Sequence, residues 1–142
     1  MRMALGISGG VAAYKAAELV RRFQQEKLDV QVVMTRSAQE FVKPLTFAAL
    51  TGQKVITEMF SSESGAPANV ESAIEHIAVA QRINLLVIAP ATANLLAKLA
   101  RGIADDFLTT LYLATTAPVT GSRFTQAVIS TGDPAEGQFA SL

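Results

Sequence analysis

The chain contains no cysteine, which excludes disulfides, thiolate metal sites and a thiol nucleophile. It carries no excess of either charge, because 12 basic residues balance 12 acidic ones over 142 positions. Without net charge it lacks the basic field by which nucleic-acid binders hold phosphates. Any phosphate it binds must therefore be held by backbone N–H groups rather than by massed lysines. Its apolar runs are too short to cross a bilayer. Met1-Arg2-Met3 leads straight into a strand pattern, without the n-region, h-region and cleavage site of a signal peptide. A cytoplasmic protein is the expectation. Histidine is nearly absent as well, with His76 the single one. What remains is a chain half apolar by composition, of a length that suits one domain with a proper core.

Apolar runs and helical periods alternate along it. Met3 to Ile7 reads as a strand and 11–26 as a helix, with Ala13, Ala16, Ala17, Val20 and Phe23 at the 3.6-residue period. Val30 to Met34 reads as a second strand. A short helix over 38–42 stops before Pro44, and another over 45–50 is closed by Gly52. Val55-Ile56 reads as a short strand and 61–69 as a polar loop. A helix over 70–81 leads into the apolar strand Leu85 to Ala89, followed by helices over 93–101 and 106–114. Near-continuous apolar strands between helices predict a parallel sheet covered on both faces, a three-layer doubly wound α/β domain of the Rossmann or flavodoxin kind. Pro118-Val119 opens a further core strand that Thr120-Gly121-Ser122-Arg123 interrupts. The expected division is a domain over 1–119 and a divergent or truncated tail over 120–142, in which only Ala127-Val128-Ile129 looks strand-like.

Three strand-to-helix junctions carry small or hydroxyl residues where a phosphate would sit: Ser8-Gly9-Gly10, Thr35-Arg36-Ser37 and Pro90-Ala91-Thr92-Ala93-Asn94. In an open parallel sheet ligands bind beyond the carboxyl ends of the strands, and the free N–H groups of a helix start attract anions. Three such junctions in one domain point to a nucleotide-like ligand. Gly6-Ile7-Ser8-Gly9-Gly10-Val11 is neither GxGxxG nor a P-loop, which disfavours NAD and ATP. A tight turn with no ligand would use the same glycines. Thr35 and Ser37 also serve as ordinary N-caps, and Arg36 is either a charge for a phosphate or a solvated side chain. Small residues at 91–93 leave room for a flat ring, and Asn94 offers a donor and an acceptor to its heteroatoms. As structure alone, Thr92 is an N-cap. His76 titrates near neutrality and suits proton transfer, or is a satisfied structural residue. Asp105-Asp106 has no partners for a metal site and reads as a helix start. Apolar residues on more than one face of 93–114 (Leu95, Leu96, Leu99, Phe107, Leu108, Leu111, Leu113) fit either a subunit interface or a buried core.

Taken together, Gly6 to Lys15, Glu75-His76-Ile77, Ala89 to Asn94, Gly102 to Phe107 and Leu113 to Val119 resemble the homo-oligomeric flavin-containing cysteine decarboxylases. The likeness is greatest to the phosphopantothenoylcysteine decarboxylase branch of bacterial coenzyme A biosynthesis, and it runs over about Met1 to Val119. It implies FMN held between subunits of a trimer, often assembled into a dodecamer. Gly9, Gly10, Val11, Thr35, Ser37, Thr92, Ala93, Asn94 and Leu95 fall on positions that contact the cofactor, with Ser8 beside them, and His76 falls on the active-site histidine. The implied reaction oxidises the cysteinyl side chain of 4′-phosphopantothenoylcysteine to a thioaldehyde, whose C=S bond accepts the electrons released as CO2 leaves, giving an enethiol. A flavin prenyltransferase shares the fold, but Ala91-Thr92-Ala93-Asn94 matches the decarboxylase branch better. The chain departs from the pattern after Val119. Thr120-Gly121-Ser122-Arg123 stands where the family has Pro-Ala-Met-Asn, and the family's flap cysteine has no counterpart. Decarboxylation ending at the enethiol, and flavin binding without turnover, are both compatible with that departure.

Overall fold

A computed structural model describes residues 1–57, 77–123 and 126–129, the last stretch and 122–123 by their backbone. Its strands are β1 (Arg2–Ile7), β2 (Asp29–Met34), β3 (Leu85–Ile88), β4 (Val119–Arg123) and β5 (Gln126–Ile129). Its helices are α1 (Lys15–Gln25), α2 (Pro44–Thr51), the helical residues 77–82 (α3), α4 (Ala93–Arg101) and α5 (Phe107–Ala114). The five strands form one sheet in the order β2-β1-β3-β4-β5. β2, β1, β3 and β4 run parallel, and β5 returns antiparallel to β4. The doubly wound architecture is the one the sequence predicts.

The two-residue alternation of a strand sorts the core into two halves. Met3, Leu5 and Ile7 of β1 pack with Ala13, Ala16 and Val20, with Val32 and Met34 of β2, and with Phe47 of α2. Ala4 on the other face packs with Leu86, Ile88, Leu95, Leu99, Phe107, Leu108 and Leu111. Gly6 continues this second face, where a Cβ would lie 2.5 Å from Leu108 Cδ1. Burying Phe107, Leu108 or Leu111 contributes about 1.5–3 kcal/mol each by removal of apolar area from water. Burial also pushes the Tyr112 phenol above its ordinary pKa, because the charged form is desolvated.

Several local readings change in detail. The expected helix over 11–26 begins as a 3₁₀ turn, Val11–Tyr14, before α1. In place of the short helix expected over 38–42 stands a second 3₁₀ turn, Ser37–Glu40. Pro44 opens α2 at its first position, where a missing N–H costs nothing. Val55-Ile56 contributes one isolated bridge, Val33 to Ile56. Thr120 to Arg123 continue β4 rather than interrupt it. Gly121 pairs with Ile88 of β3, where a Cβ would sit 3.4 Å from the Ile88 carbonyl oxygen. The expected loop over 61–69 and most of the helix over 70–81 lie outside the described residues. Of the seven residues Leu95, Leu96, Leu99, Phe107, Leu108, Leu111 and Leu113, five are buried in the core and Leu113 is exposed. That favours the core reading for this stretch. No helix among the described residues is long and apolar enough to cross a membrane.

Candidate functional site

The strand order places β2 on one side of β1 and β3 on the other. The crevice above β1 and β3 is thus a topological switch point, where crossovers depart to opposite faces. A cleft of about 460 Å³ opens there, within the range typical of small-molecule sites. Ser8, Thr35, Arg36, Ser37, Thr92, Asn94, Leu95, Glu40, Lys98, Asp105 and Asp106 line it.

Each junction reaches the cleft for a local reason. After β1 the chain turns at Ser8-Gly9-Gly10 into the 3₁₀ turn, and Ala13 N–H donates to Gly10 O at 2.9 Å. Gly9 lies against the second junction, where a Cβ would fall 2.4 Å from Ser37 Oγ and 2.8 Å from the Ser37 carbonyl carbon. A Cβ on Gly10 would fall 3.4 Å from the Thr92 methyl of the third. After β2, Thr35 Oγ1 accepts from Ala38 N–H at 3.3 Å and lies 3.2 Å from Ser37 Oγ. After β3, Thr92 caps α4 by accepting from Leu95 N–H at 3.4 Å. Gly102 ends α4 in the left-handed conformation at φ +65°, which glycine adopts without a Cβ penalty.

The N–H groups of Gly9, Gly10, Arg36, Ser37, Ala93 and Asn94 find no acceptor among the described residues. Of these, Arg36, Ser37 and Asn94 line the cleft, and free amides at adjoining turns suit an anion. The charged walls do not favour an anion by themselves, since Arg36 and Lys98 stand against Glu40, Asp105 and Asp106. Lys98 Nζ is held by both Asp105 carboxylate oxygens, at 2.8 and 3.0 Å. Asp106 forms a capping box on α5, with Oδ1 accepting from Thr109 N–H at 2.7 Å. Such a cap stabilises by about 1 kcal/mol. Asp105-Asp106 is therefore a helix start, as expected, and also a wall of the cleft.

Six of the expected site residues, Ser8, Thr35, Ser37, Thr92, Asn94 and Leu95, line one cleft, with Gly9 packed against Ser37 and Gly10 beside Thr92. Val11 and Ala93 are exposed and do not line it. His76 lies outside the described residues. Glu40, Lys98 and the two aspartates were not expected at the site. Lys98 and Asp105 stand seven apart across a helix end, a spacing that carries no signal until Gly102 turns the chain back. No cluster of metal-ligating side chains occurs among the described residues.

The Flavoprotein family model matches residues 1–121. The chain belongs to this family. The flavoprotein is 48% identical over 118 residues to the coenzyme A biosynthesis bifunctional protein CoaBC of Vibrio vulnificus, a match covering 83% of this chain and 28% of that protein. To the same-named protein of Bacillus subtilis it is 49% identical over 115 residues, covering 81% and 27%. This flavoprotein thus spans little more than a quarter of the length of these relatives. The structure of the FMN-dependent cysteine decarboxylase SpaF superposes with a TM-score of 0.72 at 30% identity, covering 85% of this chain and 67% of that one. A PPC decarboxylase variant complexed with pantothenoylaminoethenethiol superposes with a TM-score of 0.63 at 30% identity, covering 92% and 68%.

Proposed function

We propose that this flavoprotein binds FMN in the crevice above β1 and β3 and decarboxylates 4′-phosphopantothenoylcysteine in coenzyme A biosynthesis. The observation that carries this reading is the convergence of three strand-to-helix junctions on one cleft, with unpartnered amides at each junction. Similarity to CoaBC and to FMN-dependent cysteine decarboxylases supports the choice of ligand and substrate. The donor set fits the cofactor. Amides of Gly9, Gly10, Arg36 and Ser37, with the Thr35 and Ser37 hydroxyls, suit a phosphate held without massed lysines. Asn94, with the small residues about Thr92, suits a flat heteroaromatic ring.

When bound, FMN supplies a two-electron acceptor for the cysteinyl side chain. The chain's own residues hold and orient. Asn94, at the start of α4 and on the cleft wall, offers a free N–H group at the positive end of the helix dipole. His76 orients the substrate or carries a proton during CO2 loss. Val11, Tyr14, Phe41 and Leu45 are exposed apolar residues following the carboxyl ends of β1 and β2, with Val11 at 76% and Leu45 at 77% exposure. They support self-association, as a trimer or a dodecamer built from trimers, with the cofactor between subunits.

A second reading, FMN binding without turnover, is favoured by Thr120-Gly121-Ser122-Arg123 where decarboxylases of this kind carry Pro-Ala-Met-Asn. Anaerobic incubation of the FMN-loaded protein with 4′-phosphopantothenoylcysteine separates the two. The expected result is one CO2 and one enethiol per flavin bleached. A visible flavin band that persists with no CO2 would establish the second reading instead.

A further inference from the structure

We propose that Ser8 is a positioning residue that couples the two sides of the crevice and does not itself bind the cofactor phosphate, an inference that rests on the FMN reading. Ser8 is buried, at 2% exposure. Its hydroxyl donates to the Pro90 carbonyl oxygen and accepts from Thr92 N–H at 3.0 Å. Its own N–H donates to the same Pro90 oxygen at 3.3 Å. A serine hydroxyl has one proton, and here Pro90 takes it. Donation to a phosphate would require that bond to break.

The location gives these bonds a purpose. Regular pairing of β1 with β3 ends at Gly6 and Ile88, followed by Ala89 N–H donating to Gly6 O at 2.9 Å. Beyond that point the strands diverge into their crossovers, and at an open switch point nothing in the sheet ladder sets the distance between the two turns. The Ser8 side chain extends the stitching past the ladder. It holds Thr92, the N-cap of α4, beside Gly10, and so sets the first amides of α4 at one spacing from those of Gly9 and Gly10. A ligand that touches both turns then binds to a surface already in place, without the cost of ordering it.

Two ligands and two variants test this. Ser8→Ala should weaken FMN and riboflavin by a common factor of about ten, the loss of the two hydrogen bonds of the Ser8 hydroxyl, leaving the FMN-to-riboflavin affinity ratio unchanged. Ser8→Cys keeps the shape with a weaker donor and acceptor; it should weaken both by a smaller common factor, and serves should the alanine variant fail to fold. In the flavin-free protein, hydrogen exchange at Thr92 should quicken about tenfold in Ser8→Ala and by less in Ser8→Cys, while exchange at Leu99, deep in α4, stays as it was. Loss confined to FMN would make Ser8 a direct phosphate ligand and overturn the proposal, as would unchanged affinity for both ligands. A parent protein that binds neither flavin would overturn the functional reading and the coupling role with it, whereas unchanged Thr92 exchange beside intact flavin binding would remove the tether alone.

Discussion

Gly9→Ala is expected to raise the dissociation constant for FMN about tenfold and to lower the thermal stability of the flavin-free protein. The added Cβ would fall 2.4 Å from Ser37 Oγ and 2.5 Å from Ser37 Cβ, both of which could move aside. It would also fall 2.8 Å from the Ser37 carbonyl carbon, which belongs to the backbone. Relief therefore requires the first two junctions to separate. Overpacking of this kind costs about 1–3 kcal/mol, and 1.4 kcal/mol is a factor of ten in affinity. Gly10→Ala is the internal control, because its Cβ would meet only the Thr92 methyl at 3.4 Å. Titration of both variants with FMN, followed by quenching of flavin fluorescence, should find Gly10→Ala far closer to the parent. Equal affinity of Gly9→Ala and the parent would mean that the two junctions do not grip one ligand.

The second large effect is expected at His76. Replacement by asparagine retains a polar side chain but removes the group that titrates near neutrality. If His76 carries a proton or orients the departing carboxylate, His76→Asn should slow CO2 release by about 10²–10⁴-fold while flavin still binds. The two readouts together make the result specific. Loss of flavin as well would indicate a structural histidine, and undiminished CO2 release would remove His76 from the reaction.

Much of the fold was legible because its strands are buried on both faces. Met3 to Ile7 and Leu85 to Ile88 are uninterrupted apolar runs, and a parallel sheet between two helical layers is the arrangement that buries such runs. Helix ends written in local chemistry were legible too, as at Thr92, Asp106, Gly52 and Gly102. What sequence could not give was decided by neighbours. Thr120-Gly121-Ser122 has poor strand propensity alone, yet β3 on one side and β5 on the other supply its hydrogen-bonding partners. The 3₁₀ character of Val11–Tyr14 and Ser37–Glu40 has no clear mark in residue type. At the site, each of the three junctions was visible as a turn, because glycine, threonine and serine announce themselves locally. The opposite wall was not, because Lys98 faces the cleft from the far end of α4 and meets Asp105 only after the chain has turned at Gly102.

The measurement that bears most directly on the account is the flavin content of the purified protein, read as a visible absorption band and as the compound released on denaturation. The expected result is a yellow protein that yields FMN in about equal amount to the chain, or a colourless one that takes up added FMN to that ratio. A protein that is colourless as isolated and remains so after exposure to excess FMN would contradict the assignment of the crevice above β1 and β3.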